Sequence, residues 1–331
     1  MGAYAVYRCP VSAPGPVAWM ERHQIPIYVG AIVGGAVAGL ASPRSAGALE
    51  VAINPLLAAL LYVTFLQVPA SDLLRAVRDG RFVAAVASIN FVVVPVVVAA
   101  MFWLLPADQA VRIGVVLVLL CPCVDYVIVF SGLAGGDSKR LLAATPLLLL
   151  AQMAALPVFL VIFLGSDPGE VVEIGPFVHA FVILIVIPLA LAWLTQAWSE
   201  RASVGRRFAA GAGTLMVPLM VAVLAVVVAS QIPTIDGRLG SIGRVVPFYV
   251  AFLVVMAVLG TVAARVFRLD VPSARALVFS GATRNSLVVL PLALALPDGY
   301  ELAAAVVVTQ TLVEVIGMVV YIRLVPRLIP G

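Results

Sequence analysis

The chain has 331 residues, of which 63% are hydrophobic and only 11% are charged, and its mean hydropathy is +1.17. Soluble domains carry about a quarter charged residues, so this composition excludes a soluble globular protein and predicts a chain that faces lipid. Three cysteines and two histidines exclude a disulfide framework and a histidine-rich metal site. No cofactor is expected. The basic residues lie in short loops between apolar runs, so they indicate membrane orientation and not a nucleic-acid partner.

Residues 1–19 are predicted to form a disordered cytoplasmic lead. This segment contains Pro10, Pro14 and Pro16 and lacks the basic-then-apolar order of a secretory signal peptide. Met20 is an alternative start of the protein.

The charged residues divide the rest of the chain into ten apolar stretches. Each is long enough to cross a bilayer core of about 30 Å as a helix. Because lipid offers the backbone no hydrogen bonds, each stretch must pair its own N–H and C=O groups, which favours helices. The predicted spans are 24–43, 51–71, 82–105, 113–134, 141–165, 174–197, 208–230, 246–264, 276–297 and 302–322.

The charges of the loops predict the orientation of these spans. With ten spans, both termini share one side with the loops after spans 2, 4, 6 and 8. That side carries fifteen of the 20 Lys and Arg residues, and the other side carries four. Since cytoplasmic loops are enriched in Lys and Arg, we expect a multi-pass protein of the cell inner (plasma) membrane with both termini cytoplasmic. The oligomeric state is not predicted.

Three charged residues lie inside the predicted spans: Asp125 in span 4, Arg284 in span 9 and Glu314 in span 10. A charge at this depth costs about 2.5–3.5 kcal/mol on insertion scales, so it normally faces protein or a water-filled cavity. One interpretation is a buried ion pair of Arg284 with Asp125 or Glu314 that only holds helices together. The other is that these side chains line the path of a substrate or of a coupling ion such as a proton.

Span 4 contains the sequence Cys121-Pro122-Cys123 just before Asp125. Pro122 removes a backbone hydrogen bond and clashes with the preceding turn, so it predicts a break in the helix. Cysteine thiolates suit soft metal ions or metalloids. The alternative is that Cys121 and Cys123 are small residues that pack well in a membrane protein.

Span 9 concentrates small and polar residues in its first half and predicts a second interrupted helix. Gly281 and Pro291 are its candidate helix breakers, and Arg284 and Asn285 are its candidate ligands. The Gly, Ser and Thr residues of this half are also compatible with a close helix-packing face.

Spans 4–5 and 9–10 share a similar layout. Cys123 lies fourteen residues before Asp137, and Arg284 lies fourteen residues before Asp298. Two halves of five spans have opposite orientations, which is the pattern of inverted repeats with broken helices around a midplane site. The predicted fold is an all-α polytopic membrane protein of ten helices in two inverted five-helix repeats. The predicted units are the lead 1–19, the first repeat 20–165 and the second repeat 166–331.

Residues 20–325 resemble the bile acid:sodium symporter superfamily and, within it, the arsenical-resistance efflux permeases. The resemblance rests on the segment 20–25 (MERHQI), on Cys123 ahead of the segment 131–137 (SGLAGGD), and on the segment 312–315 (LVEV). It implies two inverted five-helix repeats in which broken helices 4 and 9 cross. In arsenite permeases the cysteine of span 4 is functional, and Cys123 aligns with it.

The chain departs from both branches of that superfamily in span 9. The permeases carry a glutamate where this chain has Leu287, and the sodium symporters carry Glu and Gln as sodium ligands where it has Ser280 and Arg284. We hypothesise that the guanidinium of Arg284 takes the place of a bound sodium ion.

The predicted function is secondary transport, not enzymatic catalysis. The favoured hypothesis is proton-coupled, sodium-independent efflux of arsenite or a related metalloid, with Cys123 as the soft contact and Cys121 as a second thiol. Protons would be carried by Asp125 or Glu314, if burial favours their neutral form. The alternative is sodium-coupled or exchange transport of an organic anion, such as a bile-acid-like molecule or a carboxylate, bound by Arg284.

Overall fold

The computed structural model describes residues 19–20, 23–67, 80–123, 126–164, 182–235, 239–294, 296–297 and 299–331. Apart from one isolated β-bridge, the regular structure of these residues is helical. Nearly all of the predicted lead and the candidate Asp125 lie outside the described residues.

The described part of the first half contains seven α-helices, and five of them begin near the start of a predicted span. The seven are α1 (Gln24–Ala41), α2 (Ala46–Leu66), α3 (Gly80–Ser88), α4 (Val94–Phe102), α5 (Gln109–Leu119), α6 (Val127–Leu133) and α7 (Ser138–Leu164). A π-helical stretch, Ile89–Val93, joins α3 to α4 without a break.

The described part of the second half contains eight α-helices. They are α8 (Ile187–Arg201), preceded by the π-helical stretch Val182–Val186, then α9 (Ser203–Gly213), α10 (Met216–Ile235), α11 (Leu239–Gly243), α12 (Val246–Val266), α13 (Val271–Ala282), α14 (Ser286–Leu294) and α15 (Leu302–Leu328).

Within the described parts of the chain, five helices are long and apolar enough to cross a membrane. They are Pro43–Leu66, Gly80–Phe102, Met216–Pro233, Val246–Val266 and Leu302–Leu328. The protein is therefore a helical, multi-pass membrane protein. The count of ten spans and the inverted repeat stay predictions.

The predicted start of span 7 is wrong. The sequence predicts a span over 208–230, but α9 ends at Gly213, a turn follows, and the membrane-crossing helix begins at Met216. Hydropathy alone does not separate the two helices, because residues 208–213 at the end of α9 carry no charge and run directly into the apolar sequence of α10.

The helices pack in two groups around a continuous apolar core. In one group α10 contacts α1 and α2, and α2 also contacts α8; in the other, α12 contacts α13, and α15 contacts α5, α12 and α14. Contacts between α10 and α15 join the groups. The second group contains both interrupted helices and holds the buried polar residues described next.

Candidate functional site

The two helix interruptions lie side by side. The first separates α5 from α6, the second separates α13 from α14, and an antiparallel bridge joins Pro122 to Arg284. The N–H of Cys123 donates to the carbonyl of Thr283 (3.3 Å), and the N–H of Asn285 donates to the carbonyl of Cys121 (2.7 Å). Each interruption thus satisfies backbone groups that the other leaves without helical partners. We call this arrangement the paired breaks.

The three residues considered as helix breakers occupy different positions. Pro122 lies in the non-helical segment and takes part in the bridge. Gly281 lies in the last turn of α13, where a Cβ would come within 2.8 Å of Ile89 Cγ1, so this glycine allows close packing. Pro291 lies inside α14, which continues to Leu294. The second interruption is therefore at residues 283–285 and not at Pro291.

Arg284 is fully buried at the paired breaks, with 0% of its surface exposed. Its guanidinium donates to four oxygens, which we call the oxygen cage. These are the carbonyl of Leu119 for Nη1 (3.2 Å), and Asn90 Oδ1 (2.8 Å) and the carbonyls of Ser280 (2.8 Å) and Gly281 (2.7 Å) for Nη2. The carbon Cζ also lies 5.5 Å from the centre of the Phe252 ring, a cation–π contact.

The oxygen cage lies at the carboxyl ends of two half-helices. Leu119 is the last residue of α5, and Ser280 and Gly281 belong to the last turn of α13. Carbonyl groups at a helix carboxyl end lack intrahelical donors and carry the negative end of the helix dipole. The guanidinium therefore supplies hydrogen-bond donors and a compensating positive charge to both half-helices.

Glu314 contacts both breaks from the neighbouring helix α15. Its carboxylate accepts hydrogen bonds from the backbone N–H of Arg284 (2.8 Å), from the hydroxyl of Tyr126 (2.5 Å) and from Nε2 of Gln310. The contact between Glu314 and Arg284 is made through the backbone. The interpretation of Arg284 and Glu314 as a side-chain ion pair is therefore incorrect, because the guanidinium is directed to the oxygen cage instead.

Cys121 and Cys123 flank Pro122 and are both buried, with exposures of 0% and 1%. Neither forms a disulfide. Their backbones are fixed by the hydrogen bonds that join the paired breaks. Among the described residues, no group of three His, Cys, Asp or Glu side chains is arranged to hold a metal ion.

Several buried polar atoms near the paired breaks have no hydrogen-bond partner among the described residues. They are Nδ2 of Asn285, Oε1 of Gln310 and Nε of Arg284. Asn285 also caps the amino end of α14, since its Oδ1 accepts from the N–H of Val288 (3.2 Å). Buried polar groups are rarely left unpaired, so these atoms are available to a ligand.

Two residues of this site are missed by reasoning from charge alone. Asn90 lies in the π-helical stretch and bonds the guanidinium, the hydroxyl of Ser280 (3.0 Å) and the carbonyl of Val86 (2.9 Å). Tyr126 lies at the start of α6 and bonds Glu314. A lone asparagine in an otherwise apolar span is a signal that could have revealed Asn90, because a polar amide in lipid requires partners.

Residues 54–237 match a family model, that of the sodium bile acid symporter family. The match covers more than half of the chain. A comparison with curated proteins finds no match.

Proposed function

The chain belongs to the sodium bile acid symporter family, a family of secondary transporters, and on this premise we propose that it transports its substrate without sodium. The observation that carries the proposal is the guanidinium of Arg284 inside the oxygen cage. Half-helix carboxyl ends and unwound carbonyls are the groups that hold coupling cations in broken-helix transporters. Arginine stays charged at all physiological pH values, so it offers these oxygens a permanent cation.

The symporter resemblance supports the same conclusion from the sequence. The sodium symporters carry Glu and Gln as sodium ligands where this chain has Ser280 and Arg284. The uncharged Ser280 and the cationic Arg284 therefore stand where the symporters have a carboxylate and an amide. A sodium ion placed against the cage would be repelled by the guanidinium.

We propose that protons replace sodium as the coupling ion and that Glu314 carries them, with Asp125 as the other candidate. An ionised Glu314 accepts from the backbone of the second break and from Tyr126 beside the first. A protonated carboxyl has less acceptor capacity and becomes a donor itself. Protonation would therefore loosen the contact of α15 with both breaks. Glu314→Gln, which imitates the protonated form, should abolish the dependence of transport on a pH gradient.

For the cargo we propose arsenite or a related metalloid species, exported to the side of the membrane opposite the termini. Cys123 would be the soft contact and Cys121 a second thiol, since the two cysteines flank the first break. Two thiols allow a reversible engagement, which suits a carrier that must release its cargo. The small volume of such a species also suits a site formed by backbone breaks.

Arsenite accumulation in cells tests this cargo directly. The variants are Cys123→Ser, Cys121→Ser and, as matched control, Cys9→Ser in the predicted lead. We expect wild type and Cys9→Ser to lower accumulation, and Cys123→Ser to behave like empty vector. Equal accumulation in wild type and vector would reject arsenite.

An organic anion is the second candidate, and one observation favours it. Asn285 presents an unpaired Nδ2 at the amino end of α14, and helix amino ends favour anions. Arg284 is a poor anchor for a carboxylate, because its Nη atoms are held by the oxygen cage and only Nε is without a partner. Vesicle uptake of taurocholate, pantoate and arsenite, each with and without sodium, separates the two candidates.

We further propose the ten-helix, inverted-repeat architecture in the plasma membrane with cytoplasmic termini. The pairing of two interrupted helices through an antiparallel bridge supports this architecture, and the excess of Lys and Arg on one side supports the orientation. Labelling of single cysteines introduced into successive loops of intact cells tests both. If both termini were labelled from outside the cell, the orientation would be the opposite of the one proposed.

A further inference from the structure

The short helix α9 separates two long helices and does not itself cross the membrane. It follows the end of α8 after one extended residue, Ala202, and is followed by the turn before α10. Its eleven residues span about 16 Å at 1.5 Å per residue, roughly half of a bilayer core. Because α10 begins its membrane crossing at Met216, α9 lies at the edge of the membrane.

One side of α9 is seated on the protein. A Cβ on Gly205 would come within 2.9 Å of the backbone of Ser199, so α9 packs closely against the end of α8. Arg206 Nη1 donates to the carbonyl of Ser199 (3.4 Å). These contacts fix the position of the helix relative to the membrane-crossing segments.

The neighbouring side of α9 is apolar and exposed. Val204 and Phe208 are four residues apart and so share one side of the helix, and they are 62% and 50% exposed. The Phe208 ring lies 6.1 Å from that of Trp198, which is itself 44% exposed. Tryptophan favours the membrane–water interface, so this apolar side faces the lipid at that depth.

Three exposed arginines surround the apolar side: Arg201, Arg206 and Arg207. Glu200 is the one acid in the described helices α8 and α9, which leaves the corner between these helices with a net positive charge. Guanidinium groups bind phosphate oxygens in a bidentate geometry. An apolar strip bordered by arginines is the pattern of a helix that lies in the interface of an anionic membrane.

We propose that the corner formed by Trp198, Arg201, Arg206, Arg207 and Phe208 binds the headgroup of an anionic phospholipid. The arginines bind the phosphate, and the apolar strip contacts the first part of the acyl chains. This site is independent of the paired breaks and of the transported substrate.

Lipid binding to the purified full chain tests the proposal, with phosphatidylglycerol as the probe and phosphatidylcholine as the neutral comparison. The variant is Arg206→Gln with Arg207→Gln. The matched control is Arg323→Gln with Arg327→Gln, which removes two exposed arginines from α15. Because Arg206 and Arg207 adjoin the apolar side of α9 and Arg323 and Arg327 lie on α15, we expect the test variant to bind phosphatidylglycerol at least about tenfold more weakly, and the control to bind as wild type does.

Native mass spectrometry counts the retained lipids, and the melting temperature in mixed micelles gives a second readout. Arg207→Gln alone serves as a further variant, because Arg206 also bonds Ser199 and its loss could disturb the corner. The proposal is overturned by equal phosphatidylglycerol affinity in wild type and both α9 variants. Stabilisation by inorganic phosphate to the same extent would also overturn it, as would a lipid-free dimer that the α9 variants dissociate.

Discussion

Two regions of the molecule hold helices together by opposite means. At the paired breaks, the helices are interrupted and buried side chains satisfy the backbone: Arg284 at the carbonyl ends, Glu314 at a backbone N–H. Between α1 and α10 the helices are uninterrupted, and their backbones approach closely through small residues. A Cβ on Gly35 would lie 2.5 Å from the carbonyl oxygen of Ala225, and one on Gly39 would lie 2.6 Å from that of Ala229.

The two regions should therefore respond to different kinds of substitution. Close backbone packing through small residues is sensitive to side-chain volume and indifferent to charge. The paired breaks depend on charge and hydrogen bonding, and only such a region can respond to a bound ion or proton.

The largest effect is expected from Arg284→Ala. The substitution leaves the oxygen cage without a donor, and removal of one partner from a buried charged network costs about 3–5 kcal/mol. The purified variant should melt far below wild type. Arg323→Ala, at an exposed position on α15, is the control and should change little; equal stability of the two variants would contradict the account.

Gly35→Ala should destabilise the α1–α10 pair by about 1–3 kcal/mol, because overpacking forces the helices apart. Gly34→Ala is the matched control, since nothing lies within 4 Å of a Cβ at that position. Melting temperatures of the two variants check the prediction. If Gly34→Ala lowered the melting temperature as much as Gly35→Ala does, the loss would not come from the contact with Ala225.

Two tyrosine-to-phenylalanine variants compare the paired breaks with a helix contact outside them, by the same chemical change. Tyr126→Phe removes the hydroxyl that bonds Glu314, and Tyr62→Phe removes the one that bonds Thr195 between α2 and α8. Each should cost about 0.5–1.5 kcal/mol of stability. Only Tyr126→Phe should change the response of transport to an imposed pH gradient. An equal change in the pH response of Tyr62→Phe would contradict a special role of the paired breaks.

The smallest effect is expected outside the membrane, at Asp270. Partial burial opposes its ionisation, but the hydrogen bond with Ser273 and the charge of Arg140, 2.9 Å away, keep the pKa of Asp270 below its usual value. Stability from this pair is therefore present above the unfolded pKa of about 3.9 and is lost as the pH falls through the lower folded pKa. Asp270→Asn should flatten the acid side of the stability profile slightly. An unchanged profile would show that the pair contributes nothing, as for many exposed pairs.

The sequence predicts the interrupted helices because their causes are local. Pro122 disrupts its own helix, and small polar residues around Arg284 make the second helix irregular. It does not predict the oxygen cage, because those carbonyls come from two half-helices far apart in the chain. Tyr126 and Asn90 were missed for a related reason: they are uncharged, and their importance lies in their partners. The start of α10 was misplaced, since the uncharged end of the interfacial helix, residues 208–213, runs directly into the membrane-crossing helix.

The central claim is that the Arg284 guanidinium stands where a coupling cation would bind, and thermal melting tests it without any substrate. Purified wild type is melted in sodium chloride and in choline chloride of equal ionic strength, beside Arg284→Ala. The account predicts the same melting temperature for wild type in both salts, and a rise in sodium for Arg284→Ala, whose cage oxygens are then open to a cation. A wild type that melts at a higher temperature in sodium than in choline would contradict it.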